Sequence, residues 1–517
     1  MRIQSPSEVW LWLKTKVKKE WKIAFAAAFL LGLLIHMPIM LRDIPNHDGL
    51  ASMYFDQNMI TSGRWFLSVA CGLSSYFTLP WMIGLLGILF LSLGAVALTE
   101  ILEIKQGMTV ILVSGLLVSF PALASTFAYV FTLDGYMLGL LFAVLAVLFT
   151  KKYAKGFVMG AVFLAFSLGV YQAYLPFAIL LSIYCILLFF LEDHSVKEKA
   201  KKVFSYVGMG LLGGILYYVI LQVLLKIQGK ELASYQGIDG MGNMSGLDLG
   251  ATLKNIFGDF AVFTIKGHVL FNNVFSGAAL LLLAALAGIT LIKVIAGKKL
   301  WKSLWFYVTL LLLTVILPVG SNIILIISPG VNYHLLMRYQ WVLYLICAVG
   351  FVDRYMKTED KFYGWSRWGA LLAAGVLVFN YAVMDNIAYS NLEKRFDKTY
   401  AYCLRLLDRM EQTKGYYPGI PVAMIGVVGD DQYPVTDITG EVTGSLIGIP
   451  GDSLLYKAED YKAFFKNYLG VEINPIDINR IPEIYDSPEY IAMDSFPGEN
   501  SVCVVDGVLY IKTENQH

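Results

Sequence analysis

Charge is what this chain has little of: only 15% of its 517 residues are Asp, Glu, Lys or Arg, while 57% are hydrophobic. A soluble domain carries about 25% charged residues, so the composition excludes a soluble enzyme and implies an integral membrane protein. The 40 basic and 39 acidic residues nearly cancel, leaving a net charge of +1. No basic field is present to attract nucleic acid, which is excluded as a partner. Cysteine is scarce too, with five residues and no C-x-x-C spacing. Cys71, Cys185 and Cys347 fall in apolar runs and read as small hydrophobes. Cys403 and Cys503, both near the C-terminus, are the pair open to a bridge in an oxidising compartment. Glycine-rich phosphate loops and dinucleotide fingerprints at a strand-to-helix turn are missing. So is any visible internal repeat of the kind that builds many transporters.

What the chain does have is a succession of long apolar runs. Ile23 to Leu41, Leu79 to Leu98 and Phe306 to Ile327 approach or exceed the roughly 20 residues that cross a bilayer. About eleven spans are expected by hydropathy, near residues 23, 79, 109, 135, 157, 175, 204, 274, 304, 339 and 369. The first run follows Lys14, Lys16, Lys18, Lys19 and Lys22, but its length and the lack of an A-x-A site make it a retained helix rather than a signal peptide. Alternate loops are rich in cations: Lys105, Lys151 to Lys155, Lys197 to Lys202, Lys298 to Lys302 and Arg354 to Arg367. The positive-inside rule assigns that set to the cytoplasm. The N-terminus is then cytoplasmic, and the longer loops 42–78 and 227–273 and the C-terminal tail lie outside.

The tail changes character. "NLEKRFDKTYAYCLRLLDRMEQ" spaces apolar residues helically, "PVAMIGVV" reads as a buried strand, and "SVCVVDGVLYIKT" reads as a hairpin turning at Asp506 and Gly507. The expected fold is therefore mostly α: a polytopic transmembrane part over residues 1–389, and a small extracytoplasmic α/β domain over 390–517.

Polar residues in the outer loops are the candidates for chemistry. The first loop, "LRDIPNHDGLASMYFDQNMITSGRW", holds Asp43, His47, Asp48, Asp56 and Arg64. A helix from Gly49 to Ser62 would align Asp48, Ser52 and Asp56 on one face and leave Leu50 and Tyr54 on the membrane surface. Asp48 then reads either as an N-cap or as a general base, two roles that can coexist. Asp43 is a second base candidate, or the partner of Arg42. His47 has no second His at ligand spacing and reads as a hydrogen-bonding neighbour. In "FTLDGYMLG", Asp134 precedes a span as an N-cap or a substrate contact. In "GVYQAYLP", Tyr171 and Gln172 form an aromatic-flanked amide that suits a sugar ring, although rim aromatics commonly form an interfacial belt. The glycine-rich "YQGIDGMGNMSGLDLG" is either a lid or a plain link. Lys266 and His268 after it could meet phosphate. His334 and Arg338 in "SPGVNYHLLMRYQW" could bind substrate and phosphate respectively, the guanidinium otherwise anchoring at the membrane surface.

Acids outside the cell have no nucleotide sugar to act on, so an activated donor would have to arrive as a lipid-linked phosphate. The run "PNHDGLASMYFDQNMITSGRWF", with "FTLDGYMLG", "GVYQAYLP" and "YAYCLRLLDRMEQT", resembles the bacterial type II glucosyltransferase family of O-antigen conversion and its Gram-positive relatives. The resemblance implies a GT-C glycosyltransferase of the bacterial plasma membrane that moves a hexose, glucose foremost, from undecaprenyl phosphate to a cell-surface glycan or teichoic-type acceptor. It also implies a catalytic acid in the first outer loop. Asp48 matches that acid best and Asp43 next. Gly49 stands where the paired-acid form has a second acid, so the choice among Asp43, Asp48 and Asp56 stays open. No cofactor is assigned; a divalent Mg or Mn ion is compatible with the donor phosphate. The rival readings are a transporter or lipid-linked sugar flippase, which calls for ionisable residues inside several spans, and a non-catalytic scaffold. Few charges interrupt these runs.

Overall fold

The computed structural model describes residues 5–52, 54–77, 79–234, 248–302, 304–328, 330–355, 361–425, 454–455 and 458–513. After a short helix α1 (Pro6–Lys16), α2 (Lys19–Met40) makes the first apolar crossing. The loop behind it holds α3 (His47–Ser52) and α4 (Leu67–Tyr76). The bundle continues with α5 (Pro80–Leu102), α6 (Gly107–Ser119), α7 (Pro121–Phe127), α8 (Leu133–Lys152), α9 (Gly156–Val170), α10 (Leu175–Leu191) and α11 (Val196–Gln228). It closes with α12 (Leu249–Ala261), α13 (Val274–Gly297), α14 (Leu304–Ser321), α15 (Ile324–Ile327), α16 (Val342–Tyr355) and α17 (Lys361–Gln412).

Among the described residues eight helices are long and apolar enough to cross a membrane, and nine if α6 and α7, bent by 48° at Phe120, form one broken span. Two shorter apolar helices, α9 and the stretch Phe306–Ser321 of α14, stand at the remaining expected positions. The protein is thus a multi-pass helical membrane protein with eight or nine spans by length, fewer than the eleven expected. One of the two missing spans is short: α9 has 15 residues, below the roughly 17 that a span needs.

The lysine-rich loops meet at one end of the bundle. Glu100 joins Lys18 and Lys152 at 2.7 and 3.1 Å, Glu103 takes Lys151 and Arg354 at 2.7 Å each, and Arg354 also reaches Glu192 at 2.6 Å. Lys298 donates to the Leu191 carbonyl at 2.7 Å. Six helices, α2, α5, α8, α10, α13 and α16, are thereby tied at the level where their apolar segments stop. The loops at 42–78 and 171–174 and the tail gather at the opposite end.

Helix α17 carries the chain from one end to the other and beyond. Its 52 residues extend about 78 Å at 1.5 Å per residue, more than twice the ~30 Å hydrocarbon thickness. It therefore passes residue 390 without a break, and its far half is the backbone of the tail domain. There Tyr402, Cys403, Leu406 and Met410 pack against Phe464, Phe465 and Leu509. The tail sheet has strands β1 (Pro421–Ile425), β2 (Asn474–Pro475), β3 (Val502–Val505) and β4 (Val508–Lys512) in the order β2-β1-β4-β3. β1 lies parallel to both neighbours, while β3 and β4 form the expected hairpin. Asp506 and Gly507 take φ of 48° and 79°, the left-handed pair that a two-residue hairpin turn requires. Cys403 and Cys503 are free thiols, so no bridge joins them. Residues 426–428 of the strand expectation lie outside the described residues, as do 235–247 of the glycine-rich loop.

The tail is not an appendage. Leu50, on α3, is buried in the tail core with Leu406 and Phe464. Arg42 pairs with Glu393 and, at 2.9 Å, with Asp397 of α17. Leu50→Ala should remove this plug at a cost of about 2–5 kcal/mol. The expected outcome is a lower thermal midpoint and faster proteolysis of the tail, with the bundle intact.

Candidate active site

The loop that carries the candidate acids is fixed residue by residue. Helix α3 is six residues long, too short to persist alone, and its first turn is capped by Asn46, whose Oδ1 accepts the Gly49 N–H at 2.7 Å. Asn46, not Asp48, is therefore the cap. Asp48 lies exposed in the first turn, where the N-terminal dipole favours a carboxylate. The expected helix to Ser62 does not form. It stops at Ser52, and Tyr54 and Gln57 adopt left-handed φ of 57° and 55°. Gln57 is buried and its amide donates to the Ser75 hydroxyl at 2.7 Å. Asp56 consequently leaves the face of Asp48 and caps the Asn58 N–H at 3.0 Å. Leu50, expected on the membrane surface, is buried in the tail instead.

Beyond the break, Met59 bridges to Arg64 and Gly63 turns at φ 75°. The Ser62 and Gly63 carbonyls receive the Gln172 amide at 3.1 Å and the Tyr217 hydroxyl at 3.1 Å. Gln172 also donates to Tyr217 at 2.9 Å, so its amide nitrogen holds the loop to α11. Trp65 rests on Gly169 so closely that a Cβ there would stand 2.5 Å from the indole. These contacts present Arg64. Its guanidinium lies 4.8 Å from the Tyr171 ring centroid and its Nη1 donates to the Tyr136 hydroxyl at 3.2 Å. Tyr136 and Tyr171 stack in parallel at 4.6 Å. A Cβ on Gly49 would stand 3.7 Å from the Phe131 ring, so α3 packs beside the turn that leads into α8, the helix that carries Tyr136. Arg64, Tyr136 and Tyr171 thus form one cluster, and α3 with its Asp48 packs beside the entry to the helix that carries Tyr136.

The other candidates divide. Asp43 sits under the tail, its Oδ2 receiving the Tyr468 hydroxyl at a long 3.4 Å. Crowding by that wall pushes its pKa up, an effect the Tyr468 bond partly offsets. Asp134 is buried one residue inside α8, not at its cap; it accepts from the Ser74 hydroxyl and from the Gly135 N–H at 2.9 Å. It anchors α4 to α8. Arg338 is buried, its Nη1 and Nη2 on the two oxygens of Asp259 at 2.7 and 2.8 Å and its Nε on the Tyr333 carbonyl at 3.2 Å. Asn322 completes that carboxylate at 3.0 Å. His334 lies half-buried on the same turn. Lys266 and His268 are exposed between α12 and α13, and no hydrogen bond or ion pair joins them to the loop acids among the described residues.

Among the described residues no three His, Cys, Asp or Glu side chains converge on a point. A divalent ion here would take one carboxylate and substrate phosphate oxygens, the usual manner of Mg binding. Two apolar grooves of about 850 and 1290 Å³ run along α10, α13 and α14, and neither is lined by an acid. The sequence reading passed over Asn46, Tyr136, Tyr217, Asp259 and Asp385. The last had a signal, a lone acid in the apolar "YAVMDNIAYS", which marks an intramembrane ionisable residue. It also corrects the expectation that the acids all cluster at one rim.

Residues 37–353 match the family described as Glucosyl transferase GtrII. No curated protein and no solved structure matches the chain. The family match runs from the last turn of α2 into α16 and takes in α3 with Asp48 and the Arg64–Tyr136–Tyr171 cluster. It spans well over half of the sequence, and the chain belongs to the GtrII glucosyl transferase family.

Proposed function

We propose that this membrane glycosyltransferase moves a hexose, foremost glucose, from a polyprenyl phosphate to a cell-surface glycan or teichoic-type acceptor, on the outer face of a bacterial plasma membrane. The observation that carries the reading is an exposed carboxylate, Asp48 on α3, packed beside the turn that opens α8, with the Arg64 guanidinium on the Tyr136 hydroxyl in the first turn of that helix. Such a pair meets the two charge demands of direct displacement. Asp48 takes the proton of the acceptor hydroxyl, whose oxygen bonds to the anomeric carbon as the bond to the donor phosphate breaks. The configuration at that carbon inverts. Arg64 stabilises the negative charge that gathers on the departing phosphate. The paired tyrosine rings beside Arg64 supply an apolar face for the sugar. The isoprenoid stays in lipid and the acceptor enters from water beneath the tail. On this reading residues 1–389 hold the chemistry, and 390–517 form an extracytoplasmic domain that shapes the acceptor's entrance.

Asp48→Asn should lower glucose transfer from polyprenyl-phosphate glucose by roughly 10²–10⁴-fold with an unchanged thermal midpoint, while Asp43→Asn stays within a few-fold of wild type. If the two results are exchanged, Asp43 is the base. Arg64→Lys keeps the charge and loses the planar fork; turnover should fall roughly tenfold or more, since one lost transition-state donor costs up to about 10²–10³. Equal turnover would remove Arg64 from the phosphate. Sidedness has its own measurement: a cysteine replacing Asp56 should react with an impermeant maleimide added to intact cells, and one replacing Lys197 only after permeabilisation. The opposite pattern would end the outer-face reading.

A further inference from the structure

Asp385 lies on α17 among the apolar helices, fully buried, and both of its carboxylate oxygens lack a hydrogen-bond partner among the described residues. Helix periodicity says what it faces. Tyr381, Asp385 and Tyr389 stand at i, i+4 and i+8 and share one face. The Tyr381 ring meets Phe120 edge-on at 5.6 Å. The Tyr389 hydroxyl meets His36 Nδ1 at 2.6 Å, and the His36 ring stacks on Phe127 at 4.0 Å. Asp385 therefore points between Phe120 and Phe127, at the junction of α6 and α7. The packing of α6 on α17 agrees. A Cβ on Gly115 would touch Val378 and one on Gly375 would touch Leu112, and the same offset carries Ser119 level with Ala382, within a turn of Asp385.

That junction is the break in a broken span. Helix α6 ends inside the protein, and its last carbonyls carry the negative pole of the helix dipole, about half a charge. The donors that reach it are committed: the Tyr339 hydroxyl bonds the Leu117 carbonyl, and His36 Nε2 donates to the Val118 carbonyl at 2.8 Å. Its Nδ1 is engaged with the Tyr389 hydroxyl on the other side, so both ring nitrogens are already in use. The Ser119 and Ser125 hydroxyls are buried without partners among the described residues. No Lys or Arg pairs with Asp385 among those residues. Carboxylate, helix C-terminus and hydroxyl oxygens are thus gathered where lipid and apolar side chains exclude water, with no cationic side chain to balance them.

We propose that the α6–α7 junction binds a monovalent hard cation, Na⁺, with the Asp385 carboxylate as its charged ligand and the Ser119 hydroxyl and last-turn carbonyls of α6 as neutral ligands. One positive charge matches one carboxylate; a divalent ion would leave the buried site charged. An all-oxygen donor set suits a hard ion, and broken helices with exposed half-helix ends hold Na⁺ in other membrane folds. The ion would lock α6, α7 and α17 together. This inference is independent of the transfer reaction, whose residues it does not use.

The test is thermal unfolding of the full-length protein in nanodiscs, with NaCl exchanged for choline chloride at constant ionic strength and pH. The midpoint should rise with Na⁺ in a saturable way, by several degrees, because a ligand of the folded state stabilises it by mass action. Asp385→Asn should abolish the rise. Should that variant not fold, Ser119→Ala serves: its half-saturating Na⁺ should move several-fold higher, and the wild type should bind ²²Na⁺ at one ion per chain. A wild-type midpoint that is the same in Na⁺ and choline, or an Asp385→Asn protein that keeps the full Na⁺ response, overturns the site and leaves Asp385 a protonated acid.

Discussion

Leu50 stands on the loop that carries Asp48, yet its side chain is buried in the core of the C-terminal domain. Because α3 has six residues, far fewer than the ~12–15 that an isolated helix needs in water, it exists only through what surrounds it. Asn46 closes its first turn and the tail covers its apolar side. Arg42, just before it, is gripped by an acid 351 residues further along the chain. The position of Asp48 is thus set jointly by the first span and by the last helix. A loop so held is an exception to the general mobility of loops.

The other half of the proposed site is held by the bundle. Gln172 and Tyr217 take the carbonyls on either side of the Gly63 turn, and Gly169 leaves the space that Trp65 fills. Arg64 is then delivered onto Tyr171 with little freedom left to lose. Ordering paid in the folding of the protein need not be paid again when a ligand binds. Tail and bundle each fix one of the two charges, and the distance between them depends on α17, the helix common to both.

Much of this was legible in the amino-acid order, and the rest was hidden for definite reasons. Apolar runs located every long helix, because lipid enforces length and composition. Asp506-Gly507 located the hairpin, because few residue pairs tolerate its turn. Helical spacing failed at Ser52, since the pattern of Asp48, Ser52 and Asp56 continues while the backbone reverses at Tyr54 and Gln57. The reversal is driven by burial of the Gln57 amide on Ser75, a contact no local pattern announces. Asp134 looked like a cap because Asp-Gly precedes an apolar run; its partner Ser74 lies 60 residues back. The continuity of α17 through residue 390 was obscured by the change from apolar to charged composition, which marks where the helix leaves lipid rather than where it ends.

Arg64 and Arg338 look equivalent in sequence, each an arginine among aromatics at the entry to a span, and their surroundings separate them. Arg338 shares both terminal nitrogens with the two oxygens of Asp259. The pair is neutral as a unit, and a buried ion pair of this geometry is broken only at a cost of about 3–5 kcal/mol. It couples α12 to the turn before α16 and has no net charge to offer a phosphate. Arg64 rests on two tyrosines, one accepting from its Nη1 and the other lying under its face, a placement that suits a guanidinium. A departing phosphate needs a field that persists when it arrives. Rings do not separate the two, because Arg338 lies over Tyr333 at 3.9 Å as well; on the proposed reading the phosphate falls to Arg64, which stands in the loop that carries Asp48, while Arg338 with Asp259 ties α12 to the turn before α16.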